Sequence, residues 1–542
     1  MPDTIPGLLS AAADRDPGGI WLRTDDGLLS FAGAAGQVGR VAERLRTAGV
    51  RRGDLVVITA RTTPPHLLCW LALAALGAIT VPTDPSSTVD ELTGLLHQVE
   101  PRLVITDPAL RPRLHQALNP ALHPALHPAL LQGLHPAPPA DRPAPGLLDV
   151  EELAGDWQTT EAGGGWHLPT EAGPDDLAVL IPTSGTTGRS KLVMQTHRAY
   201  AMAGEGFPYW MELTATDRLM TSLPLFHINA PAYSVLGSLA CGAGLVLLPR
   251  FSASGFLDAA RRHGATEFNA IGAMLEMLMR QPPRADDADT DLRLCYTGPS
   301  PARQWQEAFE RRFGLRVVCG YALSESPYGL IWRHGTRPFG TLGSPRQHPR
   351  LGTVNTARVV DDTGGAVAVG QTGELQLRNP TITPGYWHMP AETAAILDDG
   401  WLRTGDLVTV NPDDTYTFVS RRKEVLRRRG QNLSPAEVED AIATHPDVLE
   451  VAVIAVASEL TEDEVKAFVV ARPGHDLDFD ALRAWTEGRL SAFKVPRFWQ
   501  AVDALPRTAT ARVAKHRLPT GHPPEEYDAQ PSAGPPRSED RR

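Results

Sequence analysis

The amino-acid sequence predicts an α/β fold that is divided into at least two domains. Its 542 residues exceed the roughly 250 to 300 that one hydrophobic core usually serves. Helical and strand patterns alternate, as in FAGAAGQVGRVAERLRTAGVRRGDLVVIT at 31–59, where an amphipathic helix and a Gly/Arg turn precede a β-branched strand. The basic segment SRRKEVLRRRG at 420–430 then joins this long N-terminal part to a shorter C-terminal stretch with its own strand and helix patterns.

The composition is that of a water-soluble globular protein, since 42% of the residues are apolar and 21% are charged. The formal net charge of -11 provides no global positive field for nucleic acid, so an anionic ligand has to be bound by local donors. The cysteines are scattered without a CxxC pair, which argues against a disulfide framework and against a zinc site; they are Cys69, Cys241, Cys295 and Cys319. We therefore expect a protein of the reducing cytoplasm.

The sequence predicts neither a signal peptide nor a membrane span. The N-terminus has no basic segment followed by an apolar run. The longest apolar stretch, LLCWLALAALGAITVP at 67–82, is shorter than the roughly 18 residues that a membrane-spanning helix needs, and it predicts a buried helix running into a strand. The tail at 521–542 is rich in proline and charge, which predicts disorder.

A proline-rich insertion with tandem HPAL units interrupts the pattern at 110–145. Its spaced histidines, His115, His123, His127 and His135, raise the question of a metal site. Proline in each unit prevents the continuous helix that would align them, and no acidic residue or cysteine lies between His115 and His135. We therefore predict a solvated surface segment.

The strongest local signal is a loop rich in Gly, Ser and Thr within DDLAVLIPTSGTTGRSKLVMQTHRAY at 175–200, a stretch that predicts a strand, a loop and then a helix. Its glycines permit close backbone approach and its hydroxyl groups add donors, so the loop can surround phosphate oxygens. The residues concerned are Thr183, Ser184, Gly185, Thr186, Thr187 and Gly188. The Walker spacing GxxxxGK[ST] is absent, and a lone loop of this composition is more typical of a linker.

TSGTTGRSK resembles the phosphate loop of the adenylate-forming superfamily, which includes acyl-CoA ligases, firefly-type luciferases and the adenylation domains of peptide synthetases. Further motifs of that superfamily follow in order: SLPLFHINA (222–230), GYALSES (320–326), TGELQLRNPTITPGYW (372–387), WLRTGDL (401–407), SRRKEVLRRRGQNLSPAEVE (420–439) and AFKVPRFWQAVDALPRTATARVAK (492–515). The resemblance implies a member of the acyl-CoA ligase branch. It also implies a large N-terminal domain of several subdomains, with α/β sheets and a β-barrel part, and a small mobile α+β C-terminal domain.

Such an enzyme would work in two half-reactions. The acid attacks the α-phosphate of ATP, with Mg²⁺ present, and releases pyrophosphate; the thiol of CoA then displaces AMP from the acyl-adenylate. Two anions meet in the first step, which therefore needs cationic groups at the reacting oxygens. The implied partners are a small carboxylic acid or its adenylate, ATP and CoA.

The motif matches imply the nucleotide-binding residues. Asp406 would accept hydrogen bonds from both ribose hydroxyls, Tyr321 would lie against the adenine, and Ser324 would contact the α-phosphate. Glu325 would be a catalytic residue that binds Mg²⁺ through an oxygen, as hard cations prefer. By residue type alone Asp406 would more often cap a turn, but the flanking WLRTGDL favours the ribose role. The set is completed by Lys191, Gly298, Gly320 and Arg421.

The acyl group would lie beside PLFHINA. His227 would gate the passage between the acyl pocket and the CoA channel, although a histidine beside Leu and Phe is more often a packed core residue. Several wall residues are small, which predicts room for a bulky or ring-containing acid; the wall would include Asn229, Ala230, Gly272, Ala273 and Thr297.

We predict an N-terminal domain at 1–422, a C-terminal domain at 423–520 and the tail beyond it. Lys423 matches the hinge residue about which the small domain of the family rotates between the half-reactions. SPAE at 434–437 is a capping box that predicts a helix start.

Two residues of the hinge region would serve CoA. Gly430 would let the pantetheine arm pass close to the backbone, because it has no Cβ. Arg427, one of five arginines at 421–429, would bind CoA phosphates; a solvated basic face is the alternative for this cluster.

The segment RTATARVAKHRL at 507–518 departs from the family. Where relatives have Gly-Lys, with a lysine that enters the adenylation site, this chain has Ala511 and Arg512. A guanidinium is planar and bulkier than an ammonium, and loss of one preorganised donor typically costs about 10²- to 10³-fold in rate. We therefore predict impaired adenylation. Further departures from the family motifs are Ser190, Leu192, Pro299 and Ala322.

The favoured interpretation is an enzyme that converts an acyl-adenylate and CoA to acyl-CoA and AMP, with the adenylate supplied by a separate adenylating enzyme. A complete ATP-dependent acyl-CoA ligase is the alternative, in which Lys515 or Arg512 supplies the missing cation. A non-catalytic binder of acyl-adenylate or AMP is a third possibility, and it would need no CoA channel.

Overall fold

The computed structural model describes residues 2–118, 145–158, 166–183, 190–298, 300–422, 426–428, 431–457, 463–490, 494–507 and 513–529. The chain divides into two compact units. The first comprises Met1–Arg358, Gln376–Thr404 and Asn411–Thr417, and the second comprises Val359–Leu375, Gly405–Val410 and Phe418–Arg542. The predicted division at 422/423 differs from this one, because two short segments from earlier in the chain also belong to the second unit.

The described α-helices are Ile5–Arg15 (α1), Phe31–Thr47 (α2), Pro64–Ala75 (α3), Val89–Val99 (α4), Arg111–Leu118 (α5), Val150–Ala154 (α6), His197–Met211 (α7), Leu236–Cys241 (α8), Phe256–His263 (α9), Gly272–Met279 (α10), Arg303–Phe313 (α11), Pro390–Ile396 (α12), Pro435–Ala443 (α13) and Phe479–Glu487 (α14). Shorter helical turns are Pro108–Leu110 and Lys515–Arg517, which are 3-10 helices, and Ala230–Val235, which is a π-helix.

The described strands are Ile20–Arg23 (β1), Leu28–Ser30 (β2), Leu55–Thr59 (β3), Ile79–Thr83 (β4), Leu103–Thr106 (β5), Gly146–Asp149 (β6), Leu177–Thr183 (β7), Lys191–Thr196 (β8), Arg218–Thr221 (β9), Gly244–Leu247 (β10), Glu267–Asn269 (β11), Leu294–Thr297 (β12), Arg316–Leu323 (β13), Ser326–Ile331 (β14), Ser344–Pro345 (β15), Thr356–Val360 (β16), Thr372–Arg378 (β17), Leu397–Asp398 (β18), Trp401–Val410 (β19), Tyr416–Arg421 (β20), Leu426–Arg428 (β21), Gln431–Leu433 (β22), Val448–Ala457 (β23), Asp463–Ala471 (β24), Phe498–Ala501 (β25) and Tyr527–Asp528 (β26).

A six-stranded sheet of the first unit has the order β6-β5-β3-β4-β7-β8. Its neighbours are parallel from β6 through to β7, and β8 returns antiparallel to β7. The prediction that the apolar stretch at 67–82 forms a buried helix running into a strand is confirmed, because α3 is buried along its whole length and β4 follows it. Thr63 begins that helix by accepting a hydrogen bond from the His66 backbone N–H.

A nine-stranded sheet of the first unit has the order β15-β14-β13-β12-β11-β9-β10-β1-β2. The strands from β13 to β1 in this order are parallel to their neighbours. Their carboxyl ends therefore lie at one edge of the sheet, which is where ligands bind in open α/β sheets. This edge carries Thr221, Asn269 and Thr297 as the last residues of β9, β11 and β12.

Three smaller sheets complete the described strands. One of them is a five-stranded sheet, where the resemblance implied a β-barrel part. Four of its strands have the order β16-β17-β19-β18, and the fifth, β20, also pairs with β19. The second unit contains the hairpin β21-β22 and the sheet β23-β24-β25-β26, against which α13 and α14 contribute Val438, Ile442 and Leu482 to an apolar core. These sheets and helices confirm the mixed α/β class with a smaller α+β C-terminal part.

The helix predicted from SPAE begins at Pro435, with Ser434 as its N-cap residue. The predicted capping hydrogen bond does not form, because the Ser434 hydroxyl donates to the carbonyl of Val419 at 2.8 Å instead.

The prediction of disorder from residue 521 onward is wrong for 521–529. In this segment β26 pairs antiparallel with β25, and Glu526 forms an ion pair of 2.5 Å with the buried Lys466. Residues 530–542 lie outside the described part of the chain, as do His123, His127 and His135 of the insertion, whereas His115 lies in α5. Among the described residues, no helix combines the length and apolarity needed to cross a membrane.

Candidate active site

The predicted phosphate loop lies between two paired strands. Thr183 ends β7 and Lys191 begins β8, and the two residues pair across the hairpin, with the Thr183 hydroxyl 3.2 Å from the Lys191 carbonyl. The predicted strand-loop-helix order is wrong, because β8 intervenes before α7. Its residues Leu192 and Val193 are fully buried, which favours a strand there. The loop residues Ser184, Gly185, Thr186, Thr187 and Gly188 lie outside the described residues.

A second segment lies along the other side of β8. Val193 forms an antiparallel bridge with Tyr386, and the backbone N–H groups of Met194 and Trp387 donate to Gly385 and Leu192. This pairing places the Tyr386 ring beneath the lysine that follows the loop.

Tyr386 connects two residues predicted for nucleotide binding. The Lys191 Nζ lies 4.5 Å from the centroid of the Tyr386 ring, which is within the range of a cation–π contact. The Tyr386 hydroxyl donates a hydrogen bond of 2.8 Å to Oε1 of Glu325. The structure therefore brings an ammonium to the face and a carboxylate to the hydroxyl of one buried ring. Sequence reasoning missed Tyr386, although GYW ends one of the quoted motifs.

Ser324 and Glu325 form the turn between β13 and β14, immediately after Tyr321 and Leu323. Two neighbours hold this turn by its backbone. Gln195 Nε2 donates to the Ser324 carbonyl at 2.6 Å, and the Thr383 N–H donates to the Glu325 carbonyl at 2.8 Å. Both contacts use backbone carbonyls, so they do not occupy the Glu325 carboxylate.

Gly298 follows the last residue of β12, and Gly320 lies within the neighbouring strand β13. A Cβ on Gly298 would lie 2.3 Å from the Gly320 carbonyl oxygen, and a Cβ on Gly320 would lie 2.8 Å from the Tyr296 ring. Both positions therefore require glycine for close packing, which brings the end of β12 against β13. Pro299, one of the noted departures, lies outside the described residues.

The predicted acyl-pocket residues lie in segments that end or follow the strands β9, β11 and β12. Thr297 is fully buried at the end of β12, and Ala230 is fully buried at the start of the π-helix. Oδ1 of Asn229 accepts a hydrogen bond of 2.7 Å from Asn269 Nδ2. A Cβ on Gly272 would meet nothing within 4 Å, so there is open space there; Ala273 follows it in α10.

His227 is partly buried in the segment that follows β9. Its ring lies 4.6 Å from that of Phe226, and its backbone N–H donates to the Pro224 carbonyl at 3.3 Å.

Asn269, the residue that reaches Asn229 from β11, was missed by sequence reasoning. Its position as the last residue of a strand is the signal that points to it.

A fully buried arginine supports this edge of the first unit. Arg346 donates to the Tyr233 hydroxyl at 2.7 Å and to the carbonyls of Pro327 and Leu330 at 2.9 and 3.1 Å. It also donates to the Tyr296 hydroxyl. Arg346 thereby ties the π-helix after His227 to β12 and β14, a role that no local sequence pattern indicates.

In the second unit, Asp406 and Arg421 form a pair. Asp406 is 1% exposed in β19, and its Oδ1 lies 3.1 Å from Nε of Arg421 at the end of β20. The structure thus brings together two residues that the sequence assigned to nucleotide binding, one on each of two paired strands.

The remaining predicted residues of the second unit are only partly described. Lys423, Gly430 and Arg512 lie outside the described residues, and so does the side chain of Arg427. Lys515 is described, and its Nζ forms an ion pair of 2.7 Å with Oε1 of Glu439.

The described residues contain no group of three or more His, Cys, Asp or Glu side chains arranged to hold a metal ion. A single carboxylate such as Glu325 nevertheless fits Mg²⁺ in a nucleotide site, because that ion keeps several waters and takes its other oxygens from phosphates.

The two-unit α/β fold and this set of side chains define an enzyme of the adenylate-forming class. The family model of the AMP-binding enzyme matches residues 9–387, and that of the AMP-binding enzyme C-terminal domain matches residues 437–512. The chain belongs to the AMP-binding enzyme family, in its acyl-CoA ligase branch.

Relatives extend over almost the whole chain. Crotonobetaine/carnitine–CoA ligase of Escherichia coli (strain K12 / DH10B) is 30% identical over 489 residues, which cover 89% of this chain and 91% of that protein. The crystal structure of ATP-bound MatB from Rhodopseudomonas palustris is 26% identical, with a TM-score of 0.81 and coverage of 95% and 98%. A benzoate CoA ligase from Burkholderia xenovorans LB400 is 23% identical, with a TM-score of 0.80 and coverage of 95% and 99%, and thus shares the fold.

Proposed function

We propose that this protein forms an acyl-CoA thioester, and that it catalyses thiol attack on an acyl-adenylate faster than it makes that adenylate from acid and ATP. The observation that carries the second part is the Lys515–Glu439 ion pair. Lys515 is the lysine that follows Arg512, and a carboxylate already holds its ammonium. The cation for adenylation would then have to come from Arg512.

The proposed roles follow the chemistry of the side chains. Asp406 accepts hydrogen bonds from the ribose hydroxyls, Tyr321 packs against the adenine, and Ser324 contacts the α-phosphate. Lys191 faces phosphate oxygens, and Glu325 provides an oxygen for Mg²⁺, which neutralises phosphate charge when bound.

In the thioester step, the CoA sulfur forms a bond with the acyl carbon, the bond from that carbon to the AMP oxygen breaks, and the thiol proton leaves to solvent. We assign His227 to the path of the thiol, and Gly430 and Arg427 to the binding of CoA. This step releases an anionic leaving group and does not bring two anions together, so it depends less on the missing lysine.

In the adenylation step, a carboxylate approaches a triphosphate. A lysine ammonium is a compact donor that can contact both anions, whereas the planar fork of an arginine prefers one bidentate partner. We expect the substitution at residue 512 to slow this step by about 10²- to 10³-fold.

The test compares the two half-reactions in the full-length protein. One reaction contains acid, ATP, Mg²⁺ and CoA, and the other contains synthetic acyl-adenylate and CoA. We expect thioester to form much faster in the second. Comparable rates in both reactions would contradict impaired adenylation, and absence of thioester from both would contradict the enzyme assignment.

A matched variant tests the cause. Arg512→Lys combined with Ala511→Gly is expected to increase acid-dependent pyrophosphate release, whereas Arg517→Lys, a control in the same C-terminal segment, is expected to leave it unchanged. If the double variant gives no increase, the substitution at residue 512 does not explain slow adenylation.

A complete ATP-dependent acyl-CoA ligase is the second candidate. Two observations favour it: the contacts of Lys191, Tyr386 and Glu325 are formed, and a relative 30% identical to this chain is named as a CoA ligase. None of the comparisons points to a separate adenylating enzyme. Equal rates in the two reactions above would establish this candidate.

A further inference from the structure

A buried glutamine contacts the turn that carries two of the proposed nucleotide-binding side chains. Gln195 lies in β8 and is 0% exposed. Its Nε2 donates a hydrogen bond of 2.6 Å to the carbonyl of Ser324, 129 residues away in the chain. Ser324 and Glu325 are the two central residues of the hairpin between β13 and β14. The residues on either side of them, Leu323 and Ser326, pair with each other.

The hydrogen bond from Gln195 fixes the orientation of a whole peptide unit. The carbonyl that it binds belongs to the peptide that joins Ser324 to Glu325, and a trans peptide is planar, so its N–H points away from its carbonyl. The next carbonyl, that of Glu325, accepts a hydrogen bond of 2.8 Å from the backbone N–H of Thr383. Both carbonyls of the turn are thus held from outside the hairpin, which sets the directions in which the two side chains leave the backbone.

The strand that carries Gln195 also carries the proposed phosphate-binding lysine. Lys191 is four residues earlier in β8, and alternate side chains of a strand share one face. Nζ of Lys191 lies 4.5 Å from the centroid of the Tyr386 ring, and the hydroxyl of that ring donates to Oε1 of Glu325. One strand therefore sets the position of the proposed ammonium and of the turn with the proposed metal-binding carboxylate.

An amide at position 195 is costly for packing alone. Oε1 of Gln195 is buried and has no hydrogen-bond partner among the described residues. Its neighbours are apolar: Val179 is directly opposite on β7, and Val193 is two residues earlier in β8. An apolar side chain would fill this position without a buried, unpaired oxygen. The contribution of the amide therefore lies in the bond that Nε2 makes with Ser324.

We propose that Gln195 is a positioning residue of the nucleotide site. It holds the peptide between Ser324 and Glu325 in the orientation in which the Ser324 hydroxyl meets the α-phosphate and the Glu325 carboxylate meets Mg²⁺. Gln195 acts through the turn and takes no part in proton or group transfer. This inference rests on the proposed function, because it takes the turn as part of the phosphate site.

The first test removes the donor and keeps the size of the side chain. Gln195→Met has the same length but no N–H, so it leaves the Ser324 carbonyl without its partner. We expect the full-length variant to bind AMP, and ATP with Mg²⁺, roughly 10-fold more weakly than the wild type, as measured by calorimetric titration. The KM for CoA should be unchanged, because the turn is proposed to contact the nucleotide.

Gln306 provides a matched control in α11. It is also 0% exposed, and its Nε2 donates at 3.2 Å to the carbonyl of Val317, near the start of β13. Gln306→Met thus removes a buried glutamine–carbonyl bond from the same strand, but far from the turn. We expect it to lower the thermal midpoint and to keep wild-type nucleotide binding. Equal losses of nucleotide binding in Gln195→Met and Gln306→Met would overturn the positioning role, because destabilisation of β13 would then explain both.

A second variant tests the hydrogen bond itself through pH. In Gln195→Glu a protonated carboxyl can donate to the Ser324 carbonyl, whereas a carboxylate cannot. Burial raises the pKa of a carboxyl at such a position. AMP affinity, expressed relative to the wild type at the same pH, should therefore be close to one at pH 5 and fall towards pH 8. A ratio that is constant over this range would overturn the hydrogen bond as the cause.

Nucleotide binding separates this inference from the proposed function, because it does not depend on turnover. If the wild type forms no thioester from acyl-adenylates, but Gln195→Met binds AMP more weakly than Gln306→Met, the proposed function fails and the positioning role stands. If the wild type forms thioester, but Gln195→Met binds AMP and ATP as tightly as the wild type, the positioning role alone is overturned.

Discussion

The Tyr386 hydroxyl donates a hydrogen bond of 2.8 Å to Oε1 of Glu325, 61 residues away in the chain. The same ring lies 4.5 Å from Nζ of Lys191, the first residue of β8. Tyr386 is 6% exposed, so the hydrogen bond is largely protected from water. One aromatic side chain thereby fixes the orientation of a proposed metal-binding carboxylate and supports a proposed phosphate-binding ammonium.

We predict that Tyr386→Phe weakens Mg²⁺-dependent ATP binding by roughly 10- to 100-fold, because a hydrogen bond to a charged group contributes about 1.5 to 3 kcal/mol and the ring contact with Lys191 remains. Tyr386→Leu, which removes both contacts, should weaken binding further. The measurement is a calorimetric titration of ATP at several Mg²⁺ concentrations. Tyr209→Phe, at a tyrosine 45% exposed on α7, is the matched control. ATP binding that is identical in Tyr386→Phe and the wild type would show that the hydrogen bond does not position Glu325.

We predict that Lys515→Met changes ATP–pyrophosphate exchange by less than about threefold and lowers the free energy of unfolding by at most roughly 1 kcal/mol, as expected for a partly exposed ion pair. The reason is that Glu439 holds the Lys515 ammonium at 2.7 Å, and the Val453 N–H also binds that carboxylate oxygen at 2.6 Å. Lys494→Met, which removes the neighbouring pair with Glu437, is the control. A loss of exchange near 100-fold in Lys515→Met alone would instead identify Lys515 as the adenylation cation.

We predict that removal of residues 519–542 lowers the thermal midpoint of the protein, because it leaves Lys466 buried without its ion-pair partner. Lys466 is 0% exposed and binds Glu526 at 2.5 Å and the Gly521 carbonyl at 2.7 Å. Breaking such a buried pair typically costs about 3 to 5 kcal/mol.

Two matched proteins accompany this truncation. Removal of 530–542 alone should leave the midpoint unchanged, because it keeps β26. Lys466→Met in the chain that ends at residue 518 should recover part of the lost stability, since it removes the uncompensated charge. Equal midpoints for the full-length chain and the chain ending at 518 would refute the stabilising role of this segment.

We predict that Glu267→Met stabilises the protein increasingly as the pH rises above about 4.5. Burial raises the pKa of the Glu267 carboxyl well above its usual value of 4.5, with a further contribution from Asp217, and neither oxygen has a hydrogen-bond partner among the described residues. Above pH 4.5 the unfolded carboxyl loses its proton while the native one keeps it. The native state then binds more protons, so wild-type stability falls with rising pH until the native pKa is reached.

The difference between Glu267→Met and the wild type should therefore grow by up to about 1.4 kcal/mol per pH unit in this window. Urea unfolding at pH 5, 6, 7 and 8 measures it. Glu392→Met, at an exposed position in α12, should follow the wild-type pH dependence. A constant difference across the four pH values would mean that Glu267 is ionised in the folded protein.

Local patterns predicted the parts of the fold that depend on neighbouring residues. The buried helix α3 and the strand β4 follow from one apolar stretch, and the start of α13 follows from SPAE. In each case the hydrophobic period or the cap residue that predicts the element lies within a few residues of that element in the sequence.

Other features escaped prediction because their causes are distant in sequence. β8 forms because it pairs with β7 on one side and with the segment around Tyr386 on the other. The tail at 521–529 is ordered because a buried lysine in β24 requires a counter-charge, which Glu526 provides. The Ser434 hydroxyl binds Val419 instead of capping its own helix.

By itself, the sequence determined the α/β class and the superfamily, since these depend on residue order and on patterns a few residues long. Only the tertiary structure decided that Asn269 meets Asn229, that Arg346 supports the edge of the sheet from within, and that Tyr386 joins Lys191 to Glu325. Hydrogen bonds and ring contacts act over a few ångströms of space, and strands far apart in the chain must pair before such residues can reach one another.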